Sequence, residues 1–329
     1  MVSSIIPASP FILDCDTGRD DALAIWYALA KSLPLCGIVA SYGNTPLENV
    51  IKNCQNVLAY YPDSVIKIVA GADKPIQHHP YFTTVVEPRQ KASGNGLCNI
   101  ELPVQDNPES LIYHEALADR IQAISTLIKA EYAKQGRKLT YVIIGPATNF
   151  ALLCRALGDD LPTYIERVVM MGGKFDGLWH DMPWADFNIG ADPYAVDIIL
   201  RSNIEFCFVP MNATYPIYMT VEEIDGLKAQ TDIAVQAKRI MSAHCHLFSP
   251  EPVFRFHDPM VMVALSAIEQ FQEVEVTINL DEDVECFGQI DRISGEVRKE
   301  ARYVRQFTLD EALIASYKAE LLHMLGFAQ

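Results

Sequence analysis

The sequence predicts a parallel, doubly wound α/β sheet in one domain that covers residues 1–329. Short apolar runs at residues 11–13, 35–41 and 66–71 have the length of buried strands, and helix-length segments separate them. This alternation makes consecutive strands parallel and covers both faces of the sheet with helices. Half of the 329 residues are hydrophobic, which is enough for a sizeable core.

The first strand leads directly into four carboxylates within eight residues: Asp14, Asp16, Asp20 and Asp21. Side chains two apart on a strand share a face, so Asp14 and Asp16 are predicted to point the same way. Asp20 and Asp21 open a helix, where free backbone N–H groups favour carboxylates. Converging acids repel one another, and a hard cation with oxygen ligands, Ca²⁺ or Mg²⁺, would relieve that repulsion.

The later elements follow the same alternation. Residues 72–108 are predicted as a long loop, and a helix is predicted from Ser110 to about Lys134. Further strands are predicted at residues 139–145, 167–173 and 206–210, with a second long loop at 174–190. Alternating polar and apolar residues near the C-terminus predict antiparallel edge strands. A last helix is predicted from about Asp310 to Leu325.

Composition limits the partners. The formal net charge is −16, from 26 basic and 42 acidic residues, so nucleic acid and membrane partners are not expected. Eight cysteines are scattered without a CxxC pair, as in a reducing compartment. No signal peptide and no apolar stretch of roughly 18 residues is found. We therefore expect a cytoplasmic protein.

Polar residues follow several of the predicted strands. Because the carboxyl ends of parallel strands meet at one edge of a sheet, these residues are expected to meet there. The set is Asp14, Asp16, Asp20, Asp21, Asn44, Thr148, Asn149, Asp186, Asn188, His257 and Asp258. It is rich in carboxylates and amides and contains no Lys or Arg. The sequence thus predicts a site for an uncharged, polyhydroxylated ligand beside a divalent cation.

These residues lie in motifs that appear in a fixed order. They are DCDTGRDD (14–21), YGNT (42–45), IGPATN (144–149), VVMMGG (168–173), ADFNIGADP (185–193) and HDP (257–259). In them the sequence resembles the inosine-uridine-type, calcium-dependent nucleoside hydrolases, which cleave the N-glycosidic bond of ribonucleosides. The resemblance implies a Rossmann-like, open, mostly parallel sheet and assembly into a homodimer or homotetramer.

The resemblance also implies residue roles. Ca²⁺ is expected on Asp16, Asp21, Asp258 and the backbone carbonyl of Thr148, with Asp16 also serving as general base. His257 matches the proton donor to the departing base. The substrate contacts are expected from Asp20 and Asn44 at the 2′-hydroxyl, Asp186 and Asn188 at the 3′- and 5′-hydroxyls, and Met171 and Asp258 beside the sugar. Asp14 is expected to support these residues from behind.

The sequence departs from the family pattern at three places, of which the first changes the rigidity of a turn and the other two bear on the substrate. Thr17 replaces the usual proline, residues 91–97 lack the usual loop histidine, and Asp186 is one methylene shorter than the usual glutamate. The choice between purine and pyrimidine therefore stays open. Trp179 and Trp184 are candidates for stacking on the base. Four other histidines, His78, His79, His244 and His246, lack neighbouring oxygen ligands and are not expected to bind metal.

Two other functions fit part of the sequence. An apolar strand followed by Asp14 and Asp16 also resembles the start of a haloacid-dehalogenase-type phosphatase, but this reading leaves Asp20, Asp21 and residues 185–188 and 257–259 unexplained. A nucleoside- or calcium-binding protein without catalysis is the second alternative, because the loop histidine is missing. An EF-hand is excluded because Gly18 occupies a ligand position of its loop.

Overall fold

The computed structural model describes residues 9–103, 110–175, 185–247, 252–282, 287–292 and 302–328. Twelve strands are found in these ranges: β1 (Phe11–Cys15), β2 (Leu35–Ala40), β3 (Lys67–Ala70), β4 (Leu111–Ile112), β5 (Leu139–Ile143), β6 (Ile165–Met171), β7 (Glu205–Val209), β8 (Tyr218–Thr220), β9 (Val253–Arg255), β10 (Phe271–Ile278), β11 (Ile290–Arg292) and β12 (Arg302–Phe307). All but β8 and β9, which pair with each other, belong to one sheet.

Thirteen α-helices connect the strands in the described ranges. They are α1 (Arg19–Ala30), α2 (Leu47–Leu58), α3 (Glu87–Ser93), α4 (Leu117–Gln135), α5 (Thr148–Leu157), α6 (Leu161–Tyr164), α7 (Phe187–Ala191), α8 (Pro193–Leu200), α9 (Met211–Thr214), α10 (Val221–Gly226), α11 (Asp232–Leu247), α12 (His257–Ala264) and α13 (Ile314–Met324). None of them has the length and apolar character of a membrane-spanning helix.

The sheet confirms the predicted fold class. Its strand order is β11-β10-β12-β7-β6-β5-β1-β2-β3-β4, and the neighbours from β12 to β4 run parallel. At the other edge, β10 pairs antiparallel with both β12 and β11. Every residue of the central strands β1 and β5 is buried, because apolar helices cover both faces of the sheet.

The packing of α1 against α12 positions the site. α1 follows the first strand and is buried along most of its length, from Asp21 to Ala28. α12 is equally apolar and its residues from Asp258 to Ala264 are buried. Contact between these helices joins the N-terminal acids to the His-Asp pair, although more than 200 residues separate them in the chain.

Two predictions for residues 72–134 are wrong. The predicted loop contains a π-helical turn, Phe82–Val86, that continues into α3. Its prolines mimic a loop, but Pro88 lies in the first turn of α3, where no intrahelical N–H is needed. The predicted helix from Ser110 begins only at Leu117, because Leu111 and Ile112 form β4 and pair in parallel with β3.

Candidate active site

Asp14 supports the site from inside the core. Its carboxylate accepts hydrogen bonds from the Tyr141 hydroxyl at 2.8 Å and from the Asn149 side-chain amide at 3.1 Å. Burial raises the pKa of Asp14 to about 8, against the lowering effect of these two donors. Asp14 therefore ties β1 to β5 and α5 from behind the site, as the sequence predicts.

Asp16 is fixed by the turn that follows β2. The backbone N–H of Asn44 donates to Asp16 Oδ2 at 2.6 Å, and the Asn44 amide donates to Oδ1 at 3.1 Å. Gly43 allows this contact, because a Cβ there would lie 1.9 Å from Asp16 Oδ2. Burial raises the pKa of Asp16 to about 6, which suits a general base that works near neutral pH.

Asp21 lies next to Asp16 in the first turn of α1. Its Oδ2 accepts from the backbone N–H of Gly18 at 2.9 Å and from the Asn44 amide at 3.3 Å. Its Oδ1 is buried and has no hydrogen-bond partner among the described residues, as is also true of Asn44 Oδ1. Burial, and after it the charge of Asp16, raises the pKa of Asp21 well above its usual value.

The contact of α1 with α12 completes an acidic cluster. Oxygens of Asp20, Asp21 and Asp258 all lie within 4.8 Å of one another. Burial and the charges of Asp20 and Asp21 raise the pKa of Asp258 well above its usual value. Three carboxylates that repel one another, two of them buried, together with the unpartnered Oδ1 of Asp21 fit a hard divalent cation.

The predicted metal ligands are only partly in this cluster. Asp21 and Asp258 belong to it, and Asp20, predicted as a sugar contact, is the third member. Asp16 lies at its edge, joined to Asp21 by the Asn44 side-chain amide, which donates to both carboxylates. The Thr148 hydroxyl donates to Asp192 at 2.7 Å, and the ligand role of the Thr148 carbonyl stays a prediction.

A cavity of about 250 Å³ opens beside the acidic cluster. Seven of the predicted site residues line it: Asp20, Asn44, Met171, Asp186, Asn188, His257 and Asp258. The structure therefore gathers residues from five separate motifs around one opening. Asp16, Asp21 and Thr148 lie behind this surface and are buried.

Asn188 and Asp186 are held by the backbone at the sugar side of the cavity. The Asn188 amide donates to the carbonyls of Met171 and Ile144, both at 3.2 Å. Asp186 caps α7, accepting from the N–H groups of Asn188 and Ile189, and it also accepts from Gly173 at 2.6 Å. The short side chain holds this carboxylate within hydrogen-bond distance of backbone N–H groups. This role was not predicted from the sequence.

His257 faces the cavity as a neutral imidazole. Its Nδ1 forms a hydrogen bond of 2.7 Å with the hydroxyl of Thr214 in α9. Burial lowers the pKa of His257 to about 4, although the nearby charge of Asp20 opposes this effect. Since Thr214 occupies Nδ1, Nε2 is the ring nitrogen left to meet a ligand.

A group of cavity residues that includes two cations was not predicted from the sequence. They are Tyr81, Val85 and Arg89 from the π-helical turn and α3, Phe187 from α7, and Lys174, Met211, Ile144 and Ala185. The expectation of a site without Lys or Arg is therefore wrong. The helical segment that begins between the prolines of residues 75–88 and continues into α3 is the sequence feature that could have placed Arg89 on a helix.

Other candidates are settled by their contacts. The Thr17 hydroxyl lies 2.9 Å from Cys54 Sγ and 3.2 Å from Cys15 Sγ, so side-chain contacts anchor the turn in place of the proline ring. His79 uses both ring nitrogens, on the carbonyl of Ala191 and the N–H of Phe82, and is structural. Trp179 and Trp184 lie outside the described residues.

Comparison with known proteins agrees with this geometry. Residues 11–312 match the family described as inosine-uridine preferring nucleoside hydrolase. The chain belongs to this family. Its members are enzymes that cleave N-glycosidic bonds, so the predicted family and enzyme class are confirmed, and the phosphatase alternative is wrong.

Individual proteins are similar to this chain in sequence or in fold. The chain is 28% identical over 279 residues to the pyrimidine-specific ribonucleoside hydrolase RihA of Shewanella oneidensis, covering 83% of this chain and 82% of the relative. The fold of this chain matches a plant nucleoside hydrolase with a TM-score of 0.75 at 21% identity, covering 97% of this chain and 99% of the other. It also matches an inosine-guanosine nucleoside hydrolase with a TM-score of 0.79 at 18% identity, with the same two coverages.

Proposed function

We propose that this enzyme hydrolyses pyrimidine ribonucleosides to ribose and the free base. The observation that carries the proposal is the convergence of Asp20, Asn44, His257 and Asp258 around one cavity, with Asp16 held directly behind it by Asn44. The pyrimidine preference rests on the curated relative from Shewanella, whose name specifies that class.

Acidic residues suit the chemistry at the sugar. Breaking the bond between C1′ and the base nitrogen builds positive charge on the ribose, as in other glycoside hydrolyses. Asp16 takes a proton from the attacking water, and Asn44 holds its two oxygens in place through two hydrogen bonds. Asp20 and Asp258 lie beside the sugar, where their negative charge stabilises the transition state.

The cation of this site is proposed to be Ca²⁺. Asp21, Asp258 and Asp20 would hold it, with Asp16 at the edge of the cluster. When bound, it would lower the pKa of a coordinated water and neutralise the acids that otherwise repel one another. Asp21 Oδ1, buried without a partner among the described residues, is the atom that most needs such a ligand.

His257 is proposed to serve the departing base. Thr214 fixes the ring through Nδ1 and leaves Nε2 for the base. Proton donation requires the imidazolium form, which the negative charge of the nearby Asp20 favours. Assembly into a homodimer or homotetramer and a cytoplasmic location stay predictions. The assembly is checked by light scattering of the purified protein.

The activity is tested by measuring reducing sugar after incubation with uridine and with inosine, in the presence of Ca²⁺. We expect ribose from uridine in excess of that from inosine. A protein that binds uridine in calorimetry but releases no ribose would establish the non-catalytic alternative.

We expect uridine to be hydrolysed more efficiently than 2′-deoxyuridine by roughly 10- to 100-fold. Asp20 and Asn44 are predicted to hold the 2′-hydroxyl, and losing that partner leaves buried polar groups unpaired at about 1–3 kcal/mol each. The measurement is kcat/KM for both nucleosides. Equal values would remove the ribose-binding role of these two residues.

Asp21→Asn is expected to weaken Ca²⁺ binding by at least roughly 10- to 100-fold. Losing a residue that only hydrogen-bonds to a metal ligand already has an effect of this size, and Asp21 is proposed to be a ligand itself. The change removes one charge from the acidic cluster with little change in side-chain volume. Calorimetry with Ca²⁺ gives the affinity. Asp63→Asn, the same change at an exposed turn, is the control, and an equal effect of both variants would contradict the assigned site.

A further inference from the structure

Arg89 is the cavity cation whose charge no described residue neutralises by direct contact. It lies in α3, is half-buried, and lines the cavity. Its guanidinium carbon lies 4.0 Å from the centre of the Phe187 ring. Within the described ranges it has no hydrogen bond and no ion pair. Stacking fixes the plane of the guanidinium while its N–H groups remain available to a ligand.

The surroundings of Arg89 fit a flat, oxygen-bearing ligand. Tyr81, Val85 and Phe187 line the same cavity and add aromatic and apolar surface to it. Asp16 and Asp20 are near enough to raise the pKa of Arg89, although burial lowers it more strongly. A guanidinium has five N–H donors and no acceptor, so it pairs with a carbonyl oxygen and leaves an amino group unpaired.

The position of Arg89 relative to the sugar residues determines what it meets. Asp20, Asn44 and Asp258 mark the end of the cavity proposed for the ribose. A ribose bound there leaves its base to the other residues that line the cavity, and Arg89 is one of them. His257 lines the same cavity as Arg89. Two donors thus face the space left for the base.

We propose that Arg89 pairs with the carbonyl oxygens of the departing base, which makes this enzyme selective for uridine over cytidine. This inference rests on the proposed ribonucleoside hydrolysis. Uracil presents carbonyl oxygens at two ring positions, whereas cytosine replaces one of them with an amino group. Arg89 is therefore a specificity-determining residue as well as a contact for the leaving group.

The reaction balances with one water molecule. The C1′–N bond breaks and its electron pair leaves with the base, where the negative charge spreads onto the carbonyl oxygens. The water oxygen bonds to C1′, and Asp16 takes one of its protons. The base nitrogen gains one proton, donated by His257 as proposed above, giving ribose and neutral uracil. His257 then takes up a proton from solvent and Asp16 releases its proton to solvent, so one water molecule is consumed. The charge on the oxygens increases as the bond breaks, so pairing with Arg89 strengthens in the transition state.

A simpler role for Arg89 is to offset the acidic cluster. In that case its loss would affect all substrates equally, because every nucleoside shares the ribose. The two roles are separated by the base dependence of the loss. Kinetics of the wild type, Arg89→Met and Arg89→Lys on uridine, cytidine and 5-fluorouridine measure it directly, since fluorine stabilises the anion of uracil without changing its carbonyl groups.

We expect wild-type kcat/KM for uridine to exceed that for cytidine by at least about tenfold. Arg89→Met should lose roughly 10²-fold on uridine, as expected for loss of a charged hydrogen bond, and only a few-fold on cytidine. Its loss on 5-fluorouridine should be about tenfold smaller than on uridine, and Arg89→Lys should fall between the wild type and Arg89→Met. Equal losses on the three nucleosides would overturn the proposal.

Lys174→Met is the matched control, because Lys174 is the other cation of the cavity. It should leave the uridine-to-cytidine ratio unchanged, and a collapse of that ratio in Lys174→Met would overturn the proposal. Calorimetry in the Asp16→Asn background separates the two hypotheses. If the wild type releases no ribose but binding favours uridine in an Arg89-dependent way, the proposed function is contradicted and the role of Arg89 is supported. If the wild type releases ribose but shows no preference for uridine over cytidine, the proposed function is supported and the role of Arg89 is contradicted.

Discussion

Asp16→Asn is expected to reduce kcat by roughly 10²–10⁴-fold on every substrate, the usual contribution of a general base. The amide has nearly the same shape as the carboxylate but cannot take a proton from water. His257→Ala should show a similar loss on uridine, whereas p-nitrophenyl riboside should be nearly unaffected. Its leaving group is a stable phenolate that needs little proton donation.

The measurement is kcat for both variants on uridine and on p-nitrophenyl riboside. An equal loss of His257→Ala on the two substrates would show that His257 positions the substrate and does not protonate the base. Substantial turnover by Asp16→Asn on either substrate would refute the base assignment. Circular dichroism and the thermal midpoint of each variant establish that the fold is retained.

Gly43→Ala is expected to reduce kcat by about 10²-fold or more, the effect of displacing a reacting group by around 1 Å. A Cβ at this position would lie 1.9 Å from Asp16 Oδ2 and 2.6 Å from its Cγ, so the carboxylate must move. The loss should be similar on uridine and on p-nitrophenyl riboside, because both need the base.

Gly226→Ala is the control for Gly43→Ala. Gly226 ends α10, and a Cβ there would meet no atom within 4 Å. Its kcat should equal that of the wild type. If Gly43→Ala retains full activity on both substrates and an unchanged thermal midpoint, the close approach of Gly43 to Asp16 does not constrain the base.

The central fold and the acidic cluster follow from local patterns. Strands such as residues 139–145 are apolar runs of characteristic length, and the strand-end rule brings Asp16, Asn44 and Asn188 to one region. The rule does not account for Asp258, because β9 lies outside the main sheet and Asp258 reaches the site through the contact of α12 with α1. Family resemblance added chemical roles to these positions. The structure places most of them around the cavity.

The missed features depend on contacts between distant segments. α3 was hidden because prolines indicate a loop unless their position within the first helical turn is known. Arg89 and Lys174 line the cavity only because of tertiary packing, and the hydrophobic periodicity of a single segment carries no information about such packing. Asp186 has the expected residue type for a sugar contact, yet its hydrogen bonds to three backbone N–H groups appear only in three dimensions.

The contact of α1 with α12 has a consequence for biosynthesis. The ribosome makes the acids of α1 first, and Asp258 emerges only after more than 200 further residues. Until α12 docks, the apolar face of α1 lacks its main partner and the catalytic constellation does not exist. Contacts of such high sequence separation form slowly. Chains whose synthesis stops before α12 therefore expose the apolar surface of α1, and we expect chaperones to bind them.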